Sequence, residues 1–265
     1  MKKHRTLGVI GGGFMARAIL SGALSKGILS TDDILVCDPS ADCREYFAGL
    51  GIAVSTDNRD AVRTCEYLLF AVKPQTFPAV ADELRGEPFP VIISIMAGRT
   101  KEGIRRETNA SAIARVMPNL PCSIGVGMTA IDASELSEPA RQFVLGLFLS
   151  VGKVIETEES LLNAVTAVSG SGPAYVYLFL RAVIEAAVEQ GLRQDQAETL
   201  VYQTFAGGLS MAQTSGKSLD ELITAVSSKG GTTIAALDSF RNDGFEKSVV
   251  RAVSAAALRA DELSQ

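Results

Sequence analysis

The chain has a single histidine, His4, in 265 residues. A Ser-His-Asp or Cys-His mechanism therefore has no base, and a dehydrogenase that abstracts a proton through histidine has no such group to use. Cysteine is sparse as well. Cys37, Cys43, Cys65 and Cys122 follow neither a disulfide framework nor a zinc-ligand spacing, so they read as reduced thiols of a cytoplasmic protein, and no metal site is expected. Positive charge is never concentrated: the formal net charge is −5 and the Lys-Arg pairs are scattered. That removes the phosphate-neutralising stripe that a nucleic-acid partner requires. No apolar run approaches a membrane span, and the opening MKKHRTLGVI turns to glycine too early for a signal-peptide apolar region. Neither a membrane nor a leader is expected.

Glycine and aliphatic residues are what the chain does have. Twenty-four glycines and 47% hydrophobic content over this length suit two domains better than one. TLGVIGGGFMARAILSGAL reads as strand, tight turn and helix, with Gly11, Gly13 and Ala16 in the three small-residue positions of a dinucleotide fingerprint. On that reading Gly11 permits the turn, Gly13 admits a pyrophosphate and Ala16 keeps helix and strand close. The plainer alternative is a tight connection with no ligand. DDILVCDPS is a second strand, ending near Asp38 about twenty residues past the loop, where a carboxylate can bond a ribose diol; alone, Asp38 could equally be a turn residue before Pro39. YLLFAVKP is a third strand, ending at Lys73 and Pro74, PVIISIMAG a fourth, and SAIARVMPN a candidate fifth. Continuous apolar strands separated by helical segments predict a parallel sheet covered on both faces.

The strand pattern stops between Glu156 and Ser160, which sets the expected domains at residues 1–158 and 159–265. SGSGPAYVYLFLRAVIEAAVEQGL opens on flexible residues, places Pro173 at a first helical position and ends at Gly191, a candidate C-terminal cap. Its Ala174 to Leu180 stretch is apolar on every face, so cover from a second subunit is expected. The next helix, from Gln194 to Ser215, carries Ala197, Leu200, Val201, Phe205, Gly208, Leu209 and Ala212 at the spacing of one buried face. Gly207 and Gly208 read as close-packing positions. Ser218 and Glu221 form a capping-box pair.

SSKGGTTIAAL, from Ser227, has the pattern of a helix start able to hold an anion through N–H groups near Gly231, Thr232 and Thr233. Simple capping by Thr232 or Thr233 is the equal alternative. Two such sites in one chain predict two ligands, a dinucleotide and a small carboxylate, meeting at a cleft for hydride transfer.

The combination VIGGGFMARAI, FAVKPQ, AVTAVSGSGPAYVYLFL and VSSKGGTTIAALDSF closely resembles the pyrroline-5-carboxylate reductases over essentially the whole chain. The glycine loop and AVKP are widely shared; SGSGPAY and SSxGGTT are particular to the family. The resemblance implies an α/β architecture: an N-terminal Rossmann-type domain and an all-helical C-terminal domain, 6-phosphogluconate dehydrogenase C-terminal-like, that interlocks with its twin. It implies NADPH- or NADH-dependent reduction of 1-pyrroline-5-carboxylate to L-proline by a cytoplasmic homodimer, with dimers assembling further in some members. It also implies dinucleotide contacts from Gly11, Gly12, Gly13, Phe14, Met15 and Ala16, from Ala71, Val72, Lys73 and Pro74, from Met96 and Ala97, and from Asn58. Substrate would be held by Ser228, Gly231, Thr232 and Thr233, with Thr233 hydrogen-bonding the ring nitrogen and Glu159 nearby; a solvated helix-start role for Glu159 is the alternative.

A cyclic imine takes its proton from solvent, which suits a chain with one histidine. Two positions depart from the family's common pattern. Lys229 replaces a frequent proline and either adds charge beside the carboxylate or faces water. Asp38 stands where relatives carry residues suited to a 2′-phosphate; a carboxylate there favours NADH, whereas the family often uses NADPH, so the choice stays open at this point. A β-hydroxyacid dehydrogenase would require a lysine on the helix after SGSGP, and Ala174 to Gly191 has none. A dinucleotide-sensing module would not require the intact GGTT.

Overall fold

The structure, a computed structural model, describes residues 4–264; the basic opening at Lys2 and Lys3 and the terminal Gln265 lie outside the described residues. In chain order the first region comprises β1 (Arg5–Ile10), α1 (Phe14–Ser25), β2 (Ile34–Cys37), α2 (Ala41–Gly49), β3 (Ala53–Ser55), α3 (Asn58–Thr64), β4 (Cys65–Phe70) and α4 (Phe77–Glu83). There follow β5 (Val91–Ser94), α5 (Lys101–Thr108), β6 (Ile113–Met117), β7 (Gly127–Asp132), α6 (Glu138–Leu149) and β8 (Gly152–Glu156). The strands form one sheet in the order β3-β2-β1-β4-β5-β6-β7-β8.

Alternation along the strands explains why both faces are covered. Leu7 and Val9 of β1, Ile34 and Val36 of β2 and Leu69 of β4 turn to one face, where Ile19, Leu20 and Phe148 close over them. Ile10, Leu35, Cys37, Leu68 and Phe70 turn to the other, under Phe77, Leu84 and Ile104. A strand buried on both faces has no polar face to show, hence its continuous apolar run. The expected strands are all present, and three more join them. Short β3 pairs parallel with β2 at the edge. β7 runs antiparallel to β6, with Arg115 opposite Asp132, and β8 parallel to β7. The expectation of a wholly parallel sheet is corrected at that one step.

Contacts divide the chain into two compact units, residues 1–171 with 256–265, and residues 172–255. The second contains α8 (Gly172–Glu189), α9 (Gln194–Thr214), α10 (Leu219–Ala225), α11 (Thr232–Asn242) and most of α12 (Phe245–Glu262); α7 (Leu162–Val165) precedes them in the first. The helix expected to begin at SGSGP does begin there, as α8 at Gly172. Before it the chain passes from a 3-10 turn at Glu159–Leu161 through α7 and a π-helical turn at Thr166–Gly170, and Pro173 stands in the first turn of α8. At its far end Gly191 has φ +96°, as a terminating glycine should.

The run Glu159–Glu189 is long and apolar enough, by length and composition, to cross a membrane, and only 11% of its most apolar window is buried. Polar residues between its apolar stretches hide this in the sequence, so the absence of any span-length segment is corrected. Within the second unit the fully buried cluster is Ile184, Ala197 and Val201, supported by Leu180, Val183 and Phe205. Phe179 sits against Phe205 and Phe245 at ring-centroid distances of 5.6 and 5.7 Å. Only part of the expected α9 face is covered: Leu200 and Leu209 are exposed, and no atom lies within 4 Å of a side chain built at Gly207 or Gly208. Val176, Tyr177 and Leu178 are also more than half exposed.

Candidate active site

The strand order reverses at β1, with β2 on one side and β4 on the other, the topological switch where ligands bind in open α/β sheets. Gly11 has φ +98°, and a Cβ there would lie 2.9 Å from the backbone of Ala71, so the loops after β1 and β4 close on each other only because this residue is glycine. Gly12 packs under Phe47, which a Cβ would meet at 2.8 Å. Gly13 differs from both: it is exposed, nothing lies within 4 Å of a Cβ built on it, and it caps α1 without any side-chain hydrogen bond. An open loop over an uncapped helix start fits a dinucleotide pyrophosphate.

Below it is a cavity of ≈ 360 Å³ whose wall includes Gly11, Gly13, Asp38, Asn58, Ala71, Val72 and Lys73. The remaining predicted cofactor residues lie outside that wall. Ala16 is buried against the sheet, Met15 packs beside it, and Phe14 is 56% exposed. The Pro74 carbonyl accepts from Arg99, Met96 is buried and Ala97 half-buried. Cys37 lines the cavity as an inert group, because burial pushes its thiol up to about 12.

In the second unit α11 opens at Gly231, with no side-chain hydrogen bond to its first turn. Thr232 and Thr233 are its first helical residues, so the capping alternative gives way to a glycine cap. Each glycine of the pair has its own reason. Gly230 adopts φ +73°, and a Cβ at Gly231 would stand 2.4 Å from Ser228 Oγ. The turn folds back on Ser228, whose carbonyl accepts the Gly231 N–H at 2.9 Å. Lys229 is exposed.

Residues 159–263 match the family described as pyrroline-5-carboxylate reductase dimerisation, and residues 6–98 that described as NADP oxidoreductase, coenzyme F420-dependent. A pyrroline-5-carboxylate reductase from Synechocystis is 38% identical, covering 98% of each chain. The solved structure of such a reductase from Coxiella burnetii has a TM-score of 0.88 at 32% identity, covering 99% of this chain and 100% of its own. That of a Plasmodium falciparum pyrroline carboxylate reductase with NADP bound also has a TM-score of 0.88, at 28% identity, covering 99% of both chains. The chain belongs to the pyrroline-5-carboxylate reductase family. The exposed apolar helices of this pyrroline-5-carboxylate reductase family member lie within the segment that matches the family's dimerisation region.

Glu159, where this family member enters its helical segment, is held in a polar network of the first unit. One carboxylate oxygen accepts the Lys101 N–H at 2.7 Å, at the start of α5, and faces Arg115 Nη1 at 3.4 Å. Asp132 accepts the Glu159 N–H at 2.9 Å and pairs with Lys101 Nζ at 2.9 Å. Arg115 also reaches Asn163, which donates to Asp261 and Ser264 near the chain's end. Burial lowers the Arg115 guanidinium, and Glu159 opposes that shift. Burial alone would raise the Asp132 carboxyl, but hydrogen bonds from Ser134 and Lys101 outweigh it and hold the group below the usual carboxylate range.

This network was missed in the sequence because isolated Lys, Arg and Asp residues are ordinarily exposed. Glu83 was missed too. It lines the dinucleotide cavity and accepts from Asn58 Nδ2 at 3.0 Å, a contact across 25 residues that no local pattern announces.

Proposed function

We infer that this chain reduces 1-pyrroline-5-carboxylate to L-proline with NADPH or NADH, the last step of proline synthesis, as a homodimer. The observation that carries the substrate assignment is the open start of α11, where Gly231 leaves the N–H groups of Thr232 and Thr233 uncapped by any side chain. Such a start binds a carboxylate by hydrogen bonding and by the helix dipole together.

The bound nicotinamide supplies the hydride. The chain's own residues orient the reactants. The glycine loop from Gly11 to Ala16 holds the pyrophosphate, with Asp38, Asn58, Ala71, Val72, Lys73, Pro74, Met96 and Ala97 completing the dinucleotide side. Ser228, Gly231 and Thr232 hold the carboxylate. The Thr233 hydroxyl hydrogen-bonds the ring nitrogen and fixes which carbon accepts hydride. As the C=N bond is reduced, hydride adds to carbon and a solvent proton to nitrogen, so no strong enzymic acid is required. Glu159 acts from the rim of the first unit, positioned by Lys101 and Arg115.

We divide these roles between residues 1–158 and 159–265, a boundary supported by the family match that starts at 159. A cytoplasmic location without a membrane partner is supported by four free cysteines and by the dimerisation match, which gives the apolar run a protein partner instead of lipid. Further assembly of dimers is read by light scattering on the eluted protein.

The test is a steady-state assay with 1-pyrroline-5-carboxylate and each reduced dinucleotide, following nicotinamide oxidation and proline formation. Turnover with stoichiometric proline is expected. Its absence in a folded protein that binds dinucleotide would overturn the substrate assignment.

A further inference from the structure

The charges around the adenosine end of the dinucleotide cavity are arranged in an unusual way. β2 and β4 flank β1 on opposite sides, so Asp38, just after β2, and Lys73, after β4, stand on opposite sides of the glycine loop. With the pyrophosphate on that loop, the adenosine ribose lies on the β2 side, beside Asp38. Both oxygens of the Asp38 carboxylate are fixed there by backbone donors: Oδ2 accepts the Gly12 N–H at 2.7 Å and Oδ1 the Ser40 N–H at 2.8 Å. Neither hydrogen bond supplies a full positive charge. A second carboxylate, Glu83, lines the same cavity and holds Asn58.

Three arginines stand near this end, and none of them pairs with the Asp38 carboxylate. Arg44 Nη1 donates to the carbonyls of Asp38 and Pro39, both at 2.8 Å. Arg17 stacks over the Tyr46 ring at 4.2 Å and donates to the Gly12 carbonyl. Arg59 donates to the Glu83 carbonyl at 2.7 Å, lies 3.6 Å from Asp57 and also pairs with the Glu83 carboxylate at 3.9 Å. None of the three is in the cavity wall, where Lys73 is the one cation among the described residues.

On this basis, and resting on the reading of the chain as a dinucleotide-dependent reductase, we infer that the adenosine end rejects a 2′-phosphate and selects NADH. Asp38 accepts the ribose hydroxyls of NADH. A 2′-phosphate, with a charge of about −1.5 to −2, would meet the Asp38 carboxylate, which has only backbone donors, and the Glu83 carboxylate, which Arg59 partly offsets. Glu83 acts in the same sense but more weakly, because Arg59 pairs with its carboxylate while its hydrogen bond fixes Asn58.

The experiment is a binding measurement on the intact protein without substrate, by nicotinamide fluorescence and calorimetry, with NADH and NADPH at two ionic strengths. NADH is expected to bind at least tenfold more tightly than NADPH, and the gap should narrow at high salt as the repulsion is screened. Asp38→Asn keeps an acceptor for the Gly12 N–H and removes the charge; it should bring the two affinities within about threefold, chiefly by strengthening NADPH. Glu83→Gln keeps the acceptor for Asn58 and should strengthen NADPH relative to NADH by a smaller factor. Equal or tighter NADPH binding by the unmodified protein overturns the inference while leaving the reductase reading intact. A gap that neither variant narrows removes these two carboxylates as its cause. Binding of neither dinucleotide by folded protein overturns both readings.

Discussion

The two contact units use their apolar residues differently. In the first, strands and helices turn side chains such as Leu7, Phe70, Phe77 and Phe148 fully inward, and one sheet serves two cores. In the second, the helices are as rich in Leu, Val, Phe and Tyr, yet the buried cluster comes down to Ile184, Ala197 and Val201. An apolar cavity of ≈ 440 Å³, walled by residues such as Val176, Phe179 and Val249, remains open. One unit covers its apolar residues itself; the other leaves many of them exposed, within the segment that matches the family's dimerisation region. The same contrast holds for polar groups. The first unit buries a lysine, an arginine and an aspartate by pairing them, whereas the second leaves the start of α11 without a side-chain cap.

The largest effect expected from breaking this contrast is in the first unit. Asp132→Asn removes the nearer of the two carboxylates paired with buried Lys101 and leaves Glu135 at 3.8 Å, a loss of up to about 3 kcal/mol, to be read from denaturant unfolding. Because the native Asp132 carboxyl is held low, its contribution is complete above the ordinary carboxylate range, about pH 4, and disappears as pH falls through the lowered native value. The variant's acid limb should therefore be flatter than that of the unmodified protein, and an unchanged limb would remove the network from the protein's acid stability. Next is the open helix start of the second unit. Thr233→Ala should lower kcat on the order of 10²-fold with dinucleotide affinity near normal in a binding assay; unchanged turnover would exclude the threonine from the mechanism.

A smaller effect tests the incomplete core. Val176→Asp places a charge on the exposed apolar face and should weaken the dimer by about 2 kcal/mol, visible as monomer in sedimentation at low concentration. A dimer that persists unchanged would mean that the face is covered by something other than a second copy. The smallest concerns a local feature that neither core controls. Ser218 and Glu221 exchange hydrogen bonds at the start of α10, and Ser218→Ala should cost about 1 kcal/mol, measured as a shift in thermal midpoint.

How far the sequence could be read follows from the same contrast. β1, β2, β4 and β5 were legible because strands buried on both faces are continuous apolar runs, and the glycine loop because its spacing is set by backbone geometry. The Ser218 cap was legible for a similar reason, since both partners are local. β3 was too short to be seen, with three half-buried residues at an edge. β7 and β8 were hidden by glycine, threonine and exposed positions in GMTAID and GKVIE. The α9 face was read correctly as apolar, but periodicity does not say which molecule will cover it. Glu83, Arg115 and Asp132 act through partners distant in the chain, beyond any local pattern.

The junction where Asn163 meets Asp261 and Ser264 has a consequence in polymer terms. The chain leaves the first unit just after one side of that junction and re-enters just before the other. If the helices between melt while the junction holds, the released segment is a tethered loop, with fewer conformations to gain than a free tail of equal length. Its local melting is then less favourable entropically, and a force applied between the chain's ends reaches the Asn163–Asp261 contact before it reaches the second unit.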